Sequence, residues 1–98
     1  MGAIPVVWSR RALRDRDRIH SYIAMHSSPA RAYVVIRAIV ERADWLADNP
    51  DGGKEIAPHR RELVLSRVPY VIEYERRPDR IRLLYIWHHS QDRQARRR

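Results

Sequence analysis

The stretch from Arg61 to Arg93 limits the fold of this chain more than any other segment. It contains three short runs rich in apolar and β-branched residues, about Glu62–Leu65, Tyr70–Glu75 and Ile81–Trp87, which are separated by turn residues. Runs of this length and composition predict successive β-strands. The last run is apolar at consecutive positions from Leu83 to Trp87, which indicates a central strand covered on both faces. The stretch therefore predicts a β-meander.

Two helices are predicted before these strands. Ser9 can cap a segment from Arg10 to about His26, in which apolar residues recur near helical spacing. Ser28 and Pro29 form a second helix start, because a serine hydroxyl accepts from the free amides and proline suits the first helical position. The second helix, to about Asp48, carries a continuous apolar stripe. We therefore expect a helical hairpin.

The remaining segments complete the order of elements. Ile4–Trp8 predicts a short strand, and Pro5, which lacks an amide donor, favours an edge position. Residues 49–53 end the second helix with turn residues, and Lys54–His59 is predicted to be a loop. The order strand, helix, helix, strand, strand, strand predicts an α+β fold in which the helical hairpin packs on a small, mostly antiparallel sheet. At 98 residues the chain is expected to form one domain, residues 1–93, with a basic disordered tail, residues 94–98.

Two side-chain patterns are predicted to be structural. Asp and Arg alternate between Arg14 and Arg18, and these arginines, together with Arg10 and Arg11, are expected to form a solvated helix face. The three tryptophans, Trp8, Trp45 and Trp87, are expected to lie in the core.

The composition indicates an anionic partner. The net charge is +8, and among the twenty basic residues only Lys54 is a lysine. The planar fork of arginine suits phosphate or carboxylate recognition. The chain contains no cysteine, which excludes disulfides and thiolate metal sites, and its histidines lack metal-ligand spacing. We expect no metal, cofactor or membrane association, and a cytoplasmic location.

Four segments of the chain, in order, are VVWSRRALRDRDRIHSYI, SPARAYVVIRAIVERADWLADNP, RELVLSRVPYVIEY and DRIRLLYIWHHSQDR. Together they resemble the RelE/ParE superfamily of bacterial toxins from type II toxin–antitoxin modules. The resemblance implies an acidic cognate antitoxin whose C-terminal segment wraps and neutralises the toxin. We expect that segment to be amphipathic, to lie in the groove of the helical hairpin and to be able to add a strand to the sheet. The resemblance also implies one of two targets, because RelE-like members cleave mRNA on the ribosome whereas ParE-like members poison DNA gyrase.

A RelE-like reaction would need an acid, a base and cations around the phosphate. The candidate catalytic residues are His88 or His89 as base or acid and Glu62 as another possible base. Arg67 and Arg93 are the candidates for the phosphate charge. Regular strand alternation would point His88 and His89 to opposite faces, so only one of them could join a given site. The alternative is that the two histidines simply end a strand at the surface.

The resemblance favours the ParE-like branch. Ser66 occupies the position at which the resemblance implies a catalytic arginine in RelE-like nucleases. The resemblance also implies a tyrosine after the last strand, and no tyrosine follows Tyr85. The candidate residues for target binding are Arg60, Arg61, His89 and Arg93. Inhibition of DNA gyrase by protein contact is therefore the favoured function. A ribosome-dependent mRNA endoribonuclease is the alternative, and an interaction module without toxicity is the third possibility.

Overall fold

The computed structural model describes residues 3–90 and confirms the predicted α+β architecture. Its elements are β1 (Val6–Trp8), α1 (Arg10–His26), α2 (Pro29–Trp45), β2 (Lys54–Ala57), β3 (Arg60–Val64), β4 (Tyr70–Arg76) and β5 (Ile81–His88). The sheet order is β1-β5-β4-β3-β2, with β1 parallel to β5 and the other neighbours antiparallel. As predicted, β1 lies at an edge and β5 is an interior strand. The predicted tail, residues 94–98, lies outside the described residues.

Both helix starts follow the predicted capping chemistry. The Ser9 hydroxyl accepts from the amide of Ala12, and the Ser28 hydroxyl accepts from the amide of Arg31, each at 3.0 Å. Capping of this kind stabilises a helix by about 1 kcal/mol. The second helix ends at Trp45, earlier than the predicted end near Asp48, and residues 46–48 continue as turns.

The core lies between the helices and one face of the sheet. Alternate residues of β4 point towards the helices, where Ile72 and Tyr74 are fully buried. The apolar stripe of α2 covers them with Val35 and Ile39. The two helices therefore shield one face of the sheet, and the other face carries both polar residues, such as Glu73, and apolar ones, such as Val71 and Trp87.

Strand β2 corrects the prediction of a loop from Lys54 to His59. It pairs with β3 at the second sheet edge, and β3 begins at Arg60, two residues earlier than predicted. The Pro58–His59 turn joins them, with φ of 63° at His59. Turns with proline first and a positive φ at the next residue usually carry glycine at that second position. Histidine occupies that position here, so the sequence lacks the glycine that would have predicted this hairpin.

Asp15 corrects the prediction that the alternating Asp and Arg residues of α1 form a solvated face. Its side chain is only 3% exposed and its Oδ2 accepts from the backbone amide of Ile86 at 3.0 Å. Strand β1 pairs with β5 only from Ile81 to Leu83 and does not reach Ile86. Helix α1 therefore supplies the hydrogen-bond acceptor for the amide of Ile86. A buried amide without a partner would cost about 1–3 kcal/mol.

Trp45 corrects a second structural prediction. Trp87 is buried and Trp8 is partly buried, whereas Trp45 is 37% exposed and the guanidinium of Arg42 lies 4.1 Å from its ring centroid. Arginine stacking covers the ring where the core does not.

A tyrosine fixes the turn between α2 and β2. The Tyr74 hydroxyl donates to the carbonyl of Pro50 and accepts from the amide of Gly53, each at 2.9 Å. Gly53 is required there because an added Cβ would lie 2.8 Å from the Tyr74 ring. Within residues 3–90, no helix is both long and apolar enough to cross a membrane.

Candidate functional site

The register of the sheet separates the predicted site residues onto two faces. Glu62 stands opposite Glu73, whose neighbours Ile72 and Tyr74 point into the core, so both glutamates lie on the face away from the helices. His88 stands opposite Tyr70, which belongs to the core. Glu62 and His88 therefore lie on opposite faces, and the structure does not bring them together over one phosphate.

Arg60 and Arg61 are also separated. Arg60 donates to the buried carboxylate of Glu73 at 3.2 Å and keeps 40% of its side chain exposed. Arg61 donates to the carbonyl of Gly53 at 2.7 Å and lies 3.6 Å from the carboxylate of Asp51. Arg61 thus holds the turn before β2, while Arg60 faces a surface cleft.

That cleft is formed mainly by arginines from three elements, and we call it the arginine cleft. Its volume is about 510 Å³. It is lined by Ser9, Arg10, Arg11, Arg14, Arg60, Arg82, Leu84 and Tyr85. The guanidinium of Arg11 lies 5.1 Å from the centroid of the Tyr85 ring and its Nε donates to Asp15 at 3.2 Å. The cleft gathers cations that lie far apart in the sequence.

The opposite end of the sheet carries a groove beside α2, which we call the α2 groove. Its volume is about 350 Å³. It is lined by Arg31, Tyr33, Val34, Arg37, Ala38, Glu41, Arg67 and Val68. Tyr33 is 61% exposed and Val34 is 53% exposed. Arg37 donates hydrogen bonds to Glu41 and Tyr33, and these bonds raise the pKa of its guanidinium. The groove combines apolar side chains with positive charge.

His88 lies in a second groove, beside α1, with Tyr22 and Tyr70. The ring of Tyr70 meets His88 edge-on at 5.2 Å, and burial raises the pKa of the Tyr70 hydroxyl. His88 Nδ1 accepts from the amide of Ser90 at 3.1 Å. His89 follows the end of β5 and is exposed, and its amide donates to the carbonyl of Pro69 at 2.8 Å.

The predicted catalytic set is thus dispersed among the described residues. Arg67 lines the α2 groove, His88 lines the groove beside α1, and Glu62 lies on the far face of the sheet. Arg93 lies outside the described residues. Between residues 3 and 90, no three histidine or acidic side chains are grouped closely enough to hold a metal ion.

Sequence reasoning missed the residues that line the two surfaces most prominently. Arg10 and Arg14 were assigned to a solvated face, although α1 has no acidic residue in its first turn. Since helix starts usually favour acidic residues, that imbalance was the available signal. Tyr33 and Val34 interrupt the polar side of α2, which marks a place where an apolar partner surface can bind.

The comparisons with known proteins agree with this fold. The family model described as ParE toxin of type II toxin-antitoxin system, parDE, matches residues 6–93. The protein Y4kP of Sinorhizobium fredii, whose name assigns it as a toxin, is 40% identical in an alignment that covers 86% of each chain. Toxin RelE2 of Caulobacter vibrioides is 41% identical over 69 residues, covering 70% of this chain and 76% of that protein.

A solved structure extends the similarity to three dimensions. A chain of the chromosomal ParDE toxin–antitoxin system from P. aeruginosa superimposes with a TM-score of 0.78 at 25% identity. The alignment covers 88% of this chain and 96% of that one. With a family match across residues 6–93, this chain belongs to the ParE toxin family of type II toxin–antitoxin systems.

Proposed function

We propose that this toxin inhibits DNA gyrase by protein–protein contact and is neutralised by an acidic cognate antitoxin. The observation that carries the proposal is the separation of Glu62 and His88 on opposite faces of the sheet. Acid–base cleavage of RNA requires groups that reach the same phosphate from one side. Binding requires only exposed, chemically suitable surfaces, and those are present. The proposal places the chain in the cytoplasm, where gyrase acts.

The α2 groove is the proposed antitoxin surface. It is lined by α2 and by the loop between β3 and β4, so the proposal departs from the expected position between the two helices. An amphipathic acidic segment would place apolar side chains against Tyr33 and Val34. Its carboxylates would lie near Arg31 and Arg67, because Arg37 is already paired with Glu41. Apolar anchors in a groove supply most of the affinity in such complexes, and opposite charges accelerate the encounter. The association rate should therefore fall as ionic strength rises.

A supercoiling assay with purified gyrase tests the target. We expect micromolar toxin to inhibit supercoiling and to accumulate cleaved DNA, and we expect the antitoxin to reverse both effects. Unaffected gyrase at that concentration would exclude the proposed target.

One observation favours a second candidate, a ribosome-dependent mRNA endoribonuclease. The relative at 41% identity is named Toxin RelE2. In this alternative Glu62, Arg67, His88 and Arg93 would be catalytic. Primer extension on translated mRNA checks it: transcripts that remain intact exclude the activity, and cleavage unchanged by His88→Ala together with Arg67→Ala excludes this set of residues.

The third possibility is an interaction module without toxicity. Expression of the chain without antitoxin separates it from both toxin hypotheses. Arrested growth is expected for either toxin, and normal growth at a verified protein level is expected for the module.

A further inference from the structure

We propose that the arginine cleft binds the phosphodiester backbone of a nucleic acid without reading the base sequence. This inference goes beyond inhibition by protein contact and does not depend on it. It rests on the placement of charge in the cleft and on the chemistry that its lining lacks.

The cleft holds two anchored and three unengaged arginines. Arg11 is fixed by Asp15, and Arg60 is fixed by Glu73. The other three arginines form no ion pair with any described carboxylate; these are Arg10, Arg14 and Arg82. Glu75, which faces Arg82 across the strands, pairs with Arg77 at 3.1 Å. The cleft therefore presents positive charge that the described part of the chain does not neutralise.

The position of this charge is unfavourable for the isolated fold. Arg10 and Arg11 occupy the first turn of α1, and that turn contains no acidic residue. The amino end of a helix is itself partly positive, so arginines there lower helix stability. A bound anion would reverse the sign of this interaction, because it would neutralise both the side chains and the helix end.

The spacing of the arginines suits an extended polyanion. Arg10 and Arg14 are four residues apart on α1, so their Cβ atoms lie about 5–6 Å from each other. Arg60 and Arg82 both stand opposite Glu75, one on each neighbouring strand. Two strand spacings separate them by about 10 Å. Successive negative groups along a chain can meet these cations in turn.

The lining favours phosphates over an acidic peptide. Leu84 is only 8% exposed, and the guanidinium of Arg11 lies over the partly buried ring of Tyr85. Peptide sites usually gain affinity from apolar anchors, which this cleft does not offer. Contacts to a nucleic-acid backbone need cations alone, and arginine's fork matches a phosphate group.

Fluorescence anisotropy with the full chain tests the inference, using a labelled duplex DNA and a labelled single-stranded RNA of about 20 nucleotides. The cleft variant is Arg10→Gln, Arg14→Gln and Arg82→Gln. The control variant removes the same charge from α2 by Arg31→Gln, Arg37→Gln and Arg42→Gln. We expect the cleft variant to bind about tenfold more weakly, with a salt dependence reduced by about three phosphate contacts, and the control to bind within about threefold of the unmodified chain.

The two probes distinguish the sources of the phosphate, and binding of either one through the cleft supports the proposal. Equal losses in the two variants, or no binding of either probe at low salt, would overturn it. A glutamate-rich peptide that binds through the cleft while both nucleic acids do not would also overturn it. If the cleft variant does not fold, Arg82→Gln alone must weaken binding about twofold or more, and unchanged affinity would overturn the inference. Because gyrase is not in the assay, failure here is distinct from failure of the proposed target.

Discussion

The arginine cleft and the α2 groove lie at opposite ends of the molecule and offer different chemistry. The cleft presents arginines around buried or covered apolar groups, whereas the groove exposes Tyr33 and Val34 beside its cations. Arg60 of the cleft begins β3, and Arg67 of the groove lies beyond the end of that strand, so the two sites flank its opposite ends. Net charge therefore does not define one binding site, because the same arginine-rich composition forms two proposed sites of different chemistry.

The largest expected effect separates the groove from the rest of the surface. Val34→Glu should weaken antitoxin binding by about 30-fold, or about 2 kcal/mol, because it places a carboxylate where an apolar anchor from an acidic segment binds. Val64→Glu is the control, since Val64 is 50% exposed and lies on the other face of the sheet. Calorimetric titration with the antitoxin measures both. Equal losses would show that the α2 groove is not the antitoxin site.

Helix α1 carries three of the cleft arginines, and Asp15 fixes this helix to β5. Asp15→Ala should lower the free energy of unfolding by about 1–3 kcal/mol, because the amide of Ile86 loses its partner. Asp17→Ala, an exposed neighbour, should change it by less than about 0.5 kcal/mol. Urea denaturation compares the two variants. Similar costs for both would contradict the assigned role of Asp15.

Two buried tyrosines of β4 are expected to make the stability of the fold depend on pH. Burial raises the pKa of both Tyr70 and Tyr74 above the ordinary value of about 10. A phenol whose pKa is higher in the folded state contributes stability that is fully present below that ordinary value and is lost as pH rises through the folded value. Thermal unfolding should therefore show declining stability above about pH 10.

Phenylalanine variants show which tyrosine causes the loss of stability at high pH. Tyr74→Phe should cost about 1–3 kcal/mol at pH 8, because the amide of Gly53 loses its acceptor, and should flatten the alkaline decline. Tyr70→Phe should flatten it with a smaller cost at pH 8. A decline as steep in both variants as in the unmodified chain would show that these phenols do not cause it.

The smallest expected effect concerns stability near the cleft. Arg10→Glu should stabilise the fold by about 0.3–1 kcal/mol, because a carboxylate suits a helix start, while it weakens nucleic-acid binding. Arg31→Glu is the matched control, since Arg31 lies in the first turn of α2, which also lacks an acidic residue. Both variants should gain stability in thermal unfolding, and only Arg10→Glu should lose affinity. Loss of affinity in both would show that the cleft has no special role.

The main elements of the fold were predictable because each carried a local signal. Ser9 and Ser28 cap their helices as expected, and Pro5 precedes an edge strand. Strand β2 had no such signal, since Ile56 is its single large apolar residue and its turn uses His59 in place of glycine.

The sites were less predictable because they depend on contacts between distant segments. The sequence pattern placed Asp15 on a solvated face. In the structure β1 does not reach Ile86, and Asp15 accepts from the amide of that residue instead. Arg82 joins Arg10 and Arg60 only through the sheet order and the position of α1. The sequence predicted arginine-based recognition, but the grouping of its cations required the fold.

The most direct test of the central claim is a comparison of one toxin preparation on two targets. In a supercoiling reaction with purified gyrase, we expect inhibition and cleaved DNA at micromolar toxin, with both effects relieved by added antitoxin. In a translation reaction with the same preparation, we expect intact mRNA by primer extension. Unaffected gyrase together with cleaved mRNA would contradict the account.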